Sequence, residues 1–141
     1  MDNNTIKNIL DFLEKKENKK HKDSDNLVWK LRFGYPLTKE ELNQKGNLHL
    51  SFTKITSLPK GLKVGGFLYL FMCKHLTSLP EGLKVGGILS LNHSSVTSLP
   101  KGLEVGDDLQ IEGTALTKYS DEQLREMIDP GFIKGNIIRY G

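Results

Sequence analysis

Apolar residues recur in pairs along the middle of the chain. Leu48 and Leu50, Leu68 and Leu70, Leu89 and Leu91, and Leu109 and Ile111 are each separated by one residue. Such alternation predicts a short β-strand with one face turned inward, because successive side chains leave a strand on opposite sides. Three residues after each pair stands a short side chain: Thr53, Cys73, Ser94 or Thr114. An apolar residue follows, then a polar pair and, in three copies, Leu-Pro at Leu58-Pro59, Leu79-Pro80 and Leu99-Pro100. Proline has no N–H to donate, so a regular ladder should stop there.

The leading leucines at 48, 68, 89 and 109 give spacings of 20, 21 and 20 residues, the extra residue lying between Phe71 and Leu76. Glycines close the copies at Gly65-Gly66, Gly86-Gly87 and Gly106, where the chain can turn into the next strand. A single copy cannot bury its own leucines. Stacked copies would form interior columns: Leu48, Leu68, Leu89 and Leu109; Leu50, Leu70, Leu91 and Ile111; Leu58, Leu79 and Leu99; Val64, Val85 and Val105.

The pattern over residues 46–117, about half the chain, resembles the leucine-rich repeat family, especially its short bacterial type with Leu-Pro near the repeat end. The segment "ITSLPKGLKVGG" at 55–66 is also similar to repeats of phage proteins. The resemblance implies an α/β solenoid of four short repeats with a parallel sheet. Two departures stand out. Thr53, Cys73, Ser94 and Thr114 occupy the family's usual Asn or Cys position, and a Gly pair precedes the strands. Irregular coil or short turns, rather than full helices, are therefore expected on the other side.

An open stack needs covered ends. Residues 1–45 are assigned to an N-terminal helical cap. A helix starting at Asn4 or Thr5 would carry Ile6, Ile9, Leu10 and Leu13 on one face, widened by Phe12. Leu27-Val28-Trp29-Lys30-Leu31-Arg32-Phe33 is apolar enough to require burial. Thr38 with Glu41 has capping-box spacing and predicts a short helix running to about Lys45, stopped by Gly46. Residues 118–141 form the expected C-terminal cap. Ser120 with Gln123 opens a helix to about Ile128, and Phe132-Ile133 and Ile137-Ile138 predict a final strand or hairpin.

The alternation also assigns an outer face. Phe67, Tyr69 and Phe71 point away from the core in one copy, where the others carry His49 and Ser51, Ser90 and Asn92, or Gln110 and Glu112. Met72 and Ile88 extend this aromatic stripe. An apolar patch with a polar rim is the usual form of a protein-binding surface. The expected contact residues are Phe67, Tyr69, Phe71, Met72, His49, Ser90, Asn92 and Gln110. The competing expectation is that Trp29 or Phe12 folds back over the stripe, making it core on both faces.

Charge changes this picture little. The chain of 141 residues has a formal net charge of +3. Its Lys-rich run, Lys15 to Lys22, is diluted by acidic residues and has no interleaved aromatic on which bases would stack. One cysteine, Cys73, excludes an internal disulfide and fits a cytoplasmic protein; its place among Thr53 and Ser94 predicts a buried structural thiol. His21, His49, His75 and His93 have no metal-ligand spacing, and no Walker sequence or Ser/His/Asp order is present. A non-enzymatic protein without metal or cofactor is expected. The phage resemblance implies a concrete partner, a host factor such as a nuclease of an antiviral defence system, inhibited by occlusion. Two alternatives remain: nucleic-acid binding through the Lys-rich run with Lys60, Lys63, Lys84 and Lys101, or a self-associating structural module.

Overall fold

The structure is a computed structural model and describes residues 23–140. The helix expected near Asn4, Phe12 and the Lys-rich run lie outside the described residues. Helix α1 spans Asp23–Phe33, and α2 spans Lys39–Leu42. Ten two-residue strands follow in two parallel sheets. The first sheet contains β1 (Asn43–Gln44), β3 (Lys63–Val64), β5 (Lys84–Val85), β7 (Glu104–Val105) and β9 (Phe132–Ile133), in that order. The second contains β2 (Leu48–His49), β4 (Leu68–Tyr69), β6 (Leu89–Ser90), β8 (Leu109–Gln110) and β10 (Ile137–Ile138). Each coil contributes one strand to each sheet, and the result is a parallel-sheet β-solenoid with few helices.

This corrects the expected α/β architecture. The side opposite the leucine strands is the first sheet rather than coil. Its ladder is built from the segments before the glycines: Gly86 N–H donates to the Val64 carbonyl at 2.7 Å and Gly106 N–H to Val85 at 2.8 Å.

The expected columns are interior. Leu50, Leu70, Leu91 and Ile111 are all 0% exposed, and the Leu48, Leu58 and Val64 columns are buried with them. Parallel register aligns Leu68 with Leu48 and Leu89 despite the unequal spacing. The extra residue is absorbed in a turn closed by Leu76 N–H to the Cys73 carbonyl, which leaves both residues fully buried.

Leu27 and Leu31 of α1 join the same core, whereas Phe33 remains 55% exposed. The Thr38–Glu41 capping box is present. Helix α2 nevertheless stops at Leu42, before the expected Lys45, because Asn43 and Gln44 pair with Lys63 and Val64 instead of continuing the helix. At the other end, a 3-10 helix (Ala115–Lys118) precedes α3 (Asp121–Met127), whose Leu124 is buried together with the following Ile128. Arg125 on α3 donates to the carbonyls of Ile133 (2.6 Å) and Gly135 (3.1 Å). Strands β9 and β10 belong to different sheets, so they form no hairpin.

Candidate docking surface

The outer face of the second sheet follows from strand alternation. With Leu68 and Leu70 inside, Phe67, Tyr69 and Phe71 point outward and are half-buried. His49 lies beside Tyr69 in register and stacks on it, ring centroids 4.8 Å apart and planes 17° from parallel. Phe67 meets Tyr69 edge-on at 5.8 Å. Phe71 makes edge contacts with Phe52 at 5.3 Å and His93 at 5.5 Å. Trp29 stacks on Tyr35 at 5.2 Å and packs with Phe33. Among the described aromatic contacts, Trp29 therefore serves its own helix end rather than the stripe.

Phe52 joins this surface through backbone geometry that alternation does not reveal. The ladder runs one residue past the polar rim: Phe52 N–H donates to Phe71 O, Met72 N–H to Asn92 O and His93 N–H to Glu112 O. Phe52, Met72 and His93 all have φ near +60°, as does Gly113 at the equivalent position. This left-handed conformation costs a non-glycine residue roughly 1–2 kcal/mol. It turns the Phe52 side chain out, leaving it 71% exposed. Gly113 in the fourth copy was the available sequence signal for a left-handed row.

The polar rim is partly engaged within the molecule. Asn92 Oδ1 accepts the Glu112 N–H at 2.8 Å, and Asn92 Nδ2 donates to Gln110 Oε1 at 3.4 Å. Ser51 Oγ accepts the Phe71 N–H at 3.1 Å. Ser90, expected on the surface, is only 3% exposed because its short side chain sits in the row between Tyr69 and Gln110. The accessible surface thus consists of His49, Phe52, Phe67, Tyr69, Phe71, Met72 and His93, with Gln110 at its margin.

Cys73 lies beneath this surface. Its Sγ donates to the Leu50 carbonyl at 3.1 Å. Burial pushes its thiol pKa up, against smaller opposing effects of hydrogen bonds from Thr53 and the Phe52 backbone. The neutral thiol is favoured, so Cys73 should resist alkylation at pH 8 in the native protein and react promptly in denaturant. Equal rates in the two states would contradict the burial.

The remaining candidates are spread apart. His49 and His93 are separated by the aromatic row of the intervening coil. Among the described residues, no three His, Cys, Asp or Glu side chains form a metal set, and no helix is long and apolar enough to cross a membrane. Lys63 and Lys84 lie side by side on the outer face of the first sheet, while Lys60 and Lys101 occupy exposed turns. Comparison with known proteins finds no matching family model, no similar curated protein and no similar solved structure.

Proposed function

We propose that the chain is a non-enzymatic protein-interaction module that docks through the aromatic face of its second sheet and acts by occluding its partner. The observation that carries this reading is the pair of ring clusters on one face, His49 with Tyr69 and Phe67, and Phe52 with Phe71, all at least partly exposed. Aromatic anchors commonly dominate interface energies. Three non-glycine residues also retain left-handed backbone at the margin of this face, although glycine serves the same position in the next coil. Strain retained at one surface is a recognised mark of function.

The family reading belongs to the same proposal. The chain is a short leucine-rich-repeat-like solenoid, with α1 capping one end and α3 with the last strands capping the other. Its phage-like repeats favour a host factor as the target, a defence nuclease being one such protein, in the cytoplasm. Nucleic-acid binding is less favoured, because its described lysines are divided between the first sheet (Lys63, Lys84) and exposed turns (Lys60, Lys101) and lie apart from the aromatic face.

The test is capture from host lysate by immobilised protein, with and without nuclease treatment, using two variants. Tyr69→Ala should weaken recovery of a specific partner at least tenfold, corresponding to about 1.4 kcal/mol or more. It should lower the melting temperature much less than the inward Leu68→Ala. Recovery that is unchanged by Tyr69→Ala, or abolished by nuclease, would remove the support for this reading.

A further inference from the structure

The two sheets present opposite chemistry. The outer positions of the second are aromatic, neutral or acidic. Those of the first carry lysines beside a row of glycines. Lys63, Lys84, Glu104 and Phe132 occupy one row by register, and Gly65, Gly86, Gly106 and Lys134 the next. The glycine row has no side chains, so the lysine row stands above it as one wall of a groove of about 310 Å³. Among the described residues, three lysines and one carboxylate line this groove.

We propose that this groove binds an acidic polypeptide segment, with glutamate or aspartate carboxylates held by Lys63, Lys84 and Lys134. Charge complementarity carries the proposal, and Glu104 illustrates the pairing. In its coil Glu104 replaces the lysine of the row, and its Oε2 lies 3.5 Å from Nζ of Lys84 in the neighbouring coil. A carboxylate from a partner can approach Lys63 and Lys84 in the same way. Lys63 has no ion-pair partner among the described residues, and Lys134 lies over the Phe132 ring at 5.6 Å. The glycines' missing side chains would point into the carbonyls of the preceding coil, so the floor of the groove is bare backbone. A peptide is favoured over a nucleic acid because Phe132 is the sole aromatic ring lining the groove among the described residues, whereas strand binding relies on successive stacking platforms. This surface is separate from the aromatic face and stands independently of the role proposed for it.

The experiment is fluorescence anisotropy of the full chain with labelled decaglutamate at low ionic strength, with deca-thymidylate as the comparison probe. Saturable decaglutamate binding is expected, weakened about tenfold by Lys63→Gln with Lys84→Gln, since exposed pairs are individually modest. Glu104→Lys should tighten binding by extending the lysine row. Lys118→Gln, on the 3-10 helix, should leave it unchanged. Absence of saturable binding, loss caused equally by Lys118→Gln, or no response to Glu104→Lys would overturn the proposal. Tighter binding of deca-thymidylate than of decaglutamate would replace the peptide with a nucleic acid and equally overturn it.

Discussion

Leu70→Ala is expected to lower the unfolding free energy by about 2–5 kcal/mol, as truncation of a fully buried leucine does. The column formed by Leu50, Leu70, Leu91 and Ile111 is 0% exposed throughout. Its neighbours cannot easily collapse into the vacated space. They are held by the ladder, in which Leu50 N–H donates to Tyr69 O at 2.9 Å and Leu70 N–H to Ser90 O at 2.9 Å. The change should appear as a lower denaturant midpoint at nearly unchanged slope. Thr77→Ala, at an exposed position outside the strands, should move the midpoint little. A loss below about 1 kcal/mol for Leu70→Ala would mean that the column does not form the centre of the stack.

The core was legible because the solenoid repeats one burial rule in every coil. An apolar residue at 48 has counterparts at 68, 89 and 109, and the structure brings these into register. The first sheet was not legible in the same way. Its strands are two residues long, with one inward valine and one outward charged residue in each copy, as at Lys63–Val64. Two residues contain no alternation to count. The glycines that follow also suggest a turn before they suggest a ladder. Similarly, capping chemistry located the start of α2, but local propensity did not reveal that Asn43 and Gln44 would find a partner strand twenty residues later.

The aromatic face was only half legible. Alternation placed Phe67, Tyr69 and Phe71 outward, and the structure does so. It could not include Phe52, since a left-handed residue leaves the two-residue rhythm. Nor could it tell which polar groups remain available. Ser51 and Asn92 look like rim donors and acceptors in sequence, yet each side-chain oxygen accepts an N–H from the adjoining coil. A repeat places such groups one strand spacing from the next backbone, so internal pairing competes with external binding at every position of the face.

Glycine substitutions should separate two roles that look alike in the sequence. In Gly86→Ala, the new Cβ would be driven into the carbonyl oxygen of Gly65 in the preceding coil. That obstacle is backbone, and Gly86 is itself fixed by its N–H bond to Val64 O at 2.7 Å. Neither group can move without opening the first sheet, so a loss of at least ~3 kcal/mol is expected, at the severe end for a single substitution. Gly61 recurs just as regularly but faces open space at φ +88°. Gly61→Ala should therefore incur only the left-handed penalty of about 1–2 kcal/mol. Chemical denaturation of the two variants measures the difference directly. A Gly86→Ala protein as stable as Gly61→Ala would show that successive coils are not stacked at this separation. The register that brings Lys63 beside Lys84 would then fail together with the close approach of the glycines.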